Sequence, residues 1–247
     1  MNVKEGLLPL LVLVSASCSL VKEQREQCPS VLSLTVTGVR GETVVSVYGG
    51  GVKSDVTVSA DTVLLTAVPQ GLVEVVAVSG ASLPLLIPPG SDCPVVYAGH
   101  VLVDVQGEEC SAGVQLYKQF CTLTMETEGP PGTGIPWTLA VNGRVSGMLP
   151  DCSPAPGEFS CPAGESSTAA SVRLPRQSPS DPLWLTLVSS ASGESVKTFS
   201  LGELLLRSGY DWTAPDLPDI TLSVRLSLTG LSLSLPTTPD IHLDLEI

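Results

Sequence analysis

The chain has 247 residues and carries 25 Asp and Glu against 12 Lys and Arg, a net charge of −13. With no basic run interleaved with aromatics to offset that charge, nucleic acid is excluded as a partner. Apolar residues make up 43% and charged residues only 15%, which excludes a disordered chain. The 23 Gly and 21 Pro lie scattered without a period, as punctuation between short strands rather than as collagen or linker, so an all-β fold is expected and helices should be scarce.

Residues 1–17 read MNVKEGLLPLLVLVSAS, with Lys4 near the start, an apolar run from Leu7 to Val14, and the small residues Ser15, Ala16 and Ser17 before Cys18. This is the three-part grammar of a signal peptide. The apolar run is far shorter than the roughly 20 residues a membrane-spanning helix needs. Small residues directly before a cysteine resemble the lipobox of bacterial lipoproteins, in which the thiol takes a diacylglycerol. Cys18 is therefore the expected lipidation site and first mature residue, and ordinary secretion with a disulfide-forming Cys18 is the alternative. The acyl chain is the only attached group expected, and no cofactor is.

The chain has seven cysteines, so six remain beside Cys18: Cys28, Cys93, Cys110, Cys121, Cys152 and Cys161. In an oxidising compartment an even number permits disulfides, whose connectivity the spacing leaves open. Cys152 and Cys161 flank a loop containing Pro and Gly and form the candidate local bridge. No metal site is expected, because no CxxC pair is present and both histidines are distant in sequence.

Residues 18–27 form a polar tether. From residue 28 onward strand-length runs recur at Val31–Val36, Thr43–Tyr48, Asp55–Ser59, Val63–Ala67 and Leu72–Val78. Leu32, Leu34 and Val36 alternate with Ser33 and Thr35, which puts the apolar set on one face of a half-buried strand. The GGG at 49–51 lacks the spacing of a phosphate loop and reads as a turn. A second series follows at 114–125, 137–141, 171–174, 183–188 and 197–201, with long loops at 130–136 and 150–162. These breaks, with Gly107–Gly113, divide the body into an N-terminal β-sandwich over 28–109 and a C-terminal one over 110–247. The chain then closes on three runs of period two, the last carrying Ile241, Leu243, Leu245 and Ile247. A terminal strand with an apolar face must add to some sheet edge, its own or a neighbour's.

No catalytic constellation is present: His100 and His242 sit in no HExxH motif and near no GxSxG elbow, so an enzyme is not expected. Asp211, Asp216 and Asp219 are read as turn residues that bond local backbone, with hard-cation binding as the other reading. A small-molecule ligand is not expected either.

The run CSLVKEQREQCPSVLSLTV from Cys18, VRLPRQ at 172–177, FSLGELLLRSGYDW at 199–212 and DLPDITLSV at 216–224 resemble FimB-like fimbrial anchor lipoproteins of Bacteroidales. The resemblance implies two tandem transthyretin-like (Greek-key) β-sandwiches after a lipoprotein signal peptide. It also implies an outer-membrane, lipid-anchored location on the cell surface, and a role as anchor or minor subunit of a fimbria whose partners are pilin subunits. Subunits of that superfamily join by strand donation, the β-augmentation mode of recognition. Ile241, Leu243, Leu245 and Ile247 have the period a donor needs, and equally the period of a strand completing its own sandwich. In shaft subunits of the superfamily an arginine-specific protease removes an N-terminal strand. Arg40 is the candidate cleavage site, or else an exposed arginine in a hairpin turn. A cleaved shaft or tip subunit, and a surface lipoprotein binding glycan or host ligand through its loops, are the alternatives to the anchor.

Overall fold

The computed structural model describes residues 29–128, 137–163, 169–189, 192–227, 230–234 and 245–246. The strands are β1 (Ser30–Thr37), β2 (Thr43–Gly49), β3 (Val52–Val58), β4 (Thr62–Val68), β5 (Gly71–Ser79), β6 (Leu85–Leu86), β7 (Tyr97–Val105), β8 (Glu109–Gln115) and β9 (Tyr117–Lys118) in the first half. The second half contributes β10 (Phe120–Glu128), β11 (Trp137–Met148), β12 (Pro154–Ala163), β13 (Ala169–Pro175), β14 (Trp184–Ser189), β15 (Ser195–Ser200), β16 (Ile220–Ser227), β17 (Gly230–Ser234) and β18 (Leu245–Glu246). One helix, α1 (Leu201–Arg207), interrupts the strands.

These strands form four sheets around two apolar cores, an all-β architecture of sandwich type. The first core lies between a three-stranded sheet, β4-β1-β8, and a five-stranded one, β3-β2-β5-β7-β9. Leu32, Leu34 and Val36 of β1 face Val45, Val47, Val73, Val75 and Val103 there. The Gly49–Gly51 turn joins β2 to β3 as a tight hairpin, Gly49 paired with Val52, with Gly50 and Gly51 both at positive φ. That backbone hand matches the twist of the strands it connects and is the reason glycines stand there.

The second core lies between β13-β10-β16-β17-β18 and β12-β11-β14-β15, with α1 packed in through Leu201, Leu204 and Leu205. The i, i+3, i+4 spacing of these leucines is a helical stripe. Ser200 caps the helix by accepting a hydrogen bond from the Glu203 N–H, at 3.4 Å. Extending a strand reading through Leu201 therefore misses a helix start. From Val75 to Val78 strand β5 is a continuous apolar run, because there both its faces are covered. Val73, Val75 and Ala77 point into the first core, whereas Val76 and Val78, with Ala98 of β7, belong to the second.

Two further expectations change. Strand β7 lies in a stretch assigned no strand, although Val101, Val103 and Val105 alternate. The segment 150–162, expected as a long loop, is mostly strand β12, hairpinned onto β11. Its prolines at 154, 156 and 162 disguised it. Proline has no N–H to donate to a ladder, and β12 tolerates three because it is the outer strand of its sheet, paired on one side only.

Candidate assembly site

Strand β1 and the loop after it form the candidate site. Although it is the first strand described, β1 occupies the middle of its sheet. It pairs antiparallel with β4 (Ser30 to Val68, Val36 to Thr62) and parallel with β8 (Val31 to Glu109, Thr37 to Gln115). Leu32, Leu34 and Val36 are fully buried, so β1 forms a wall of the first core. The Val31 N–H donates to the Glu108 carbonyl at 2.8 Å, and the Ser30 hydroxyl donates to the Gly107 carbonyl. At the other end the Leu116 N–H donates to the Thr37 carbonyl at 2.9 Å.

The connection to β2 runs over Gly38–Glu42. Gly38 has φ +76°, and a Cβ there would lie 2.6 Å from the Leu116 carbonyl oxygen, so only glycine fits. The Val39 N–H donates to Asp61 Oδ1 at 2.9 Å, and the Ser79 hydroxyl donates to the Arg40 carbonyl at 2.9 Å. Arg40 and Gly41 are exposed. The structure thus puts Arg40 on an accessible loop, anchored at its carbonyl, between a buried central strand and the rest of the molecule.

The other sequence-singled residues are scattered. Cys18, Ile241, Leu243 and Ile247 lie outside the described residues. Leu245 lies in β18, which pairs antiparallel with β17, Leu245 opposite Leu231. Cys93, Cys110, Cys121, Cys152 and Cys161 are free thiols, so the expected bridge between Cys152 and Cys161 is not formed. Cys152 sits in the β11–β12 turn at φ +64°, whereas Cys161 is far along β12, opposite Val141. Some seven residues of extended strand, roughly 20 Å, separate them, and a disulfide needs Cα atoms within about 7 Å. Burial pushes the thiols of Cys93, Cys121, Cys152 and Cys161 up to about 12. They stay protonated and poorly nucleophilic.

The motifs at 172–177 and 199–219 meet through a residue that pattern reading passed over. The Arg176 guanidinium donates to the carbonyls of Trp212, Ala214 and Pro215, each at 2.7 Å, to the Lys118 carbonyl at 3.2 Å and to Gln119 Oε1 at 2.8 Å. It pins the GYDW loop to the crossing from the first core into the second. Tyr210 donates its hydroxyl to the Pro218 carbonyl at 2.8 Å and stacks edge-on against Trp212. Of the three aspartates only Asp211 bonds its own turn, accepting from Thr213, whereas Asp216 accepts from the Lys118 N–H and Asp219 from the Thr122 N–H and Lys118 Nζ, partners distant in sequence, so the local-turn expectation fails for Asp216 and Asp219. Among the described residues no group of three His, Cys, Asp or Glu could hold a metal. Among them, too, no helix is long and apolar enough to cross a membrane.

No protein-family model matches the sequence, and no curated protein is similar to it. Solved structures do share the fold. The fimbrial anchor protein Mfa2 of Porphyromonas gingivalis superposes with a TM-score of 0.63 at 11% identity, over 88% of this chain and 99% of that one. A candidate polysaccharide-binding protein of Bacteroides thetaiotaomicron gives 0.63 at 10% identity, over 85% and 96%. An adhesin candidate of Bacteroides ovatus gives 0.60 at 11% identity, over 89% and 96%. The class defined is thus an all-β protein of sandwich type that shares its fold with these structures. At such identities the likeness is one of fold.

Proposed function

We propose that this chain is a non-enzymatic, cell-surface fimbrial protein, held in the outer membrane by an acyl group on Cys18 and serving as anchor or minor subunit of a pilus. The observation that carries the reading is the position of β1: a strand near the N-terminus, central in its sheet, joined to the body through the exposed Arg40 loop. Removing it would open a slot between β4 and β8, which a donor strand of the same alternation could fill. With β1 in place the slot is filled, and a chain that keeps β1 also keeps its lipid. Fold likeness to Mfa2 along nearly its whole length supports the same reading. Ile241, Leu243, Leu245 and Ile247 supply the period of a donor strand, and pilin subunits are the partners.

The two cores are taken as tandem transthyretin-like sandwiches. The division supported best falls near residue 116, because Leu116 packs into the first core and Phe120 and Cys121 into the second. Mass spectrometry of the mature N-terminus tests the function. An acylated Cys18 is expected; Gly41 as first residue would make the chain a cleaved shaft or tip subunit. Glycan binding is the second reading, motivated by the likeness to the polysaccharide-binding candidate. Against it, Trp212 is only 7% exposed and cannot offer its face to a sugar. Strong glycan-array signal without co-purifying pilin would reverse the choice.

A further inference from the structure

Among the described residues β1 with β8 and β10 with β16 are the parallel ladders, and every other pair of strands is antiparallel. Each parallel ladder joins the opening strand of a sheet to a later strand of the same sheet, and each opening strand is central. In the first, Val31 stands opposite Glu109 and Thr37 opposite Gln115. The chain enters β1 at Ser30 and leaves β8 at Gln115, so entry and exit lie at opposite ends of the ladder.

We propose that the β1–β8 ladder is a force-bearing clamp, which keeps β1 seated when the chain is put under tension through its N-terminal side. The proposal rests on the reading of Cys18 as the acylated end and of a pilin as the partner engaged by the rest of the chain, since these supply the two opposed pulls. A pull ahead of Ser30 draws β1 toward its own start, and the opposing pull draws β8 toward its own end. The two forces run in opposite directions along the strand axes, so the hydrogen bonds between the strands are sheared together. Loaded at adjoining ends, the same bonds would peel one after another.

The Val31 N–H donates to the Glu108 carbonyl and the Leu116 N–H to the Thr37 carbonyl, which fixes the pattern between them. Val31, Ser33, Thr35 and Thr37 turn their backbone groups to β8, whereas Leu32, Leu34 and Val36 turn theirs to β4. Each bond is weak by itself, so the resistance comes from loading them at once. The core opposes lengthwise movement as well. A slip of one residue turns the fully buried Leu32, Leu34 and Val36 outward, and a slip of two drives each into the place of the next. Past β1, the Val39 bond to Asp61, the Ser79 bond to the Arg40 carbonyl and the close seat of Gly38 against Leu116 hold the downstream end. A tug on the tether therefore leaves the slot between β4 and β8 filled.

Single-molecule force spectroscopy on the mature chain in detergent tests the clamp. One handle stays ahead of Ser30. The other is introduced by Gln115→p-azidophenylalanine at the far end of β8, or by Gln106→p-azidophenylalanine just before its near end, both exposed positions. The first pair of handles shears the ladder and the second peels it, so rupture of β1 should need at least about twofold more force in the first. Both variants keep one fold and one pair of neighbouring strands, so a difference in force reports the direction of loading rather than stability. Equal forces, or a weaker Gln115 geometry, overturn the proposal. The acyl group is read separately by mass spectrometry: a high force ratio on a chain without lipid at Cys18 supports the clamp and sinks the anchor alone.

Discussion

Arg176 shows how much a single side chain can organise here. Its five donated hydrogen bonds go to four backbone carbonyls and one side-chain amide, with no carboxylate among them. A lysine cannot reproduce that fork. Arg176→Ala leaves several carbonyls without donors, and losses of this type cost about 2–4 kcal/mol. The urea midpoint should fall accordingly, with Arg176→Lys recovering only part. Asp219 gives the molecule an acid limit. Burial works to raise its carboxyl, but hydrogen bonds from Lys118 and Thr122 outweigh that and hold it below the ordinary carboxylate range. A carboxyl depressed in the folded state stabilises above its unfolded value, near 4, and that contribution is lost as pH falls through the folded value. Stability should thus be flat from neutrality to about pH 5 and decline below about 4. Asp219→Asn should flatten the acid decline; an unchanged acid slope in the variant would show that Asp219 takes no part.

At the level of elements, β1 buries its whole apolar face yet is joined to β2 through an exposed arginine, Arg40. Full burial of Leu32, Leu34 and Val36 stabilises by about 1.5–3 kcal/mol per side chain. Cutting one peptide bond removes none of that packing. Arginine-specific protease applied to the folded chain should therefore cleave first after Arg40, and the N-terminal fragment should co-elute with the body until denaturant or a competing strand displaces it. A fragment that dissociates at once would mean that the slot does not grip its strand. Most elements were legible in the pattern, β1 clearly so, because alternation of Leu32, Leu34 and Val36 needs no partner to be seen. Strand β12 was hidden by prolines that only an outer position permits, and α1 by a strand reading carried through Leu201.

The whole molecule is coupled through the β5–β7 face. Val76, Val78 and Ala98 leave the first sheet pair to pack in the second core, beside Phe120, Cys121 and Met148. Val76→Asp would bury a carboxylate with no partner in that seam, at a cost of several kcal/mol. It should also split one cooperative unfolding transition into two, detectable by calorimetry. A single transition in the variant would mean that the two cores communicate elsewhere. The sequence by itself determined the all-β class, the acidic net charge and the alternation of the strands, since each is a property of composition or of neighbours along the chain. Tertiary structure alone decided that β1 is central, that β4 is, among the described residues, an edge strand, that Arg176 reaches the GYDW loop and that Cys152 and Cys161 stand apart. These depend on which strands lie side by side, and a period of two says which face a residue takes without saying which strand it will face.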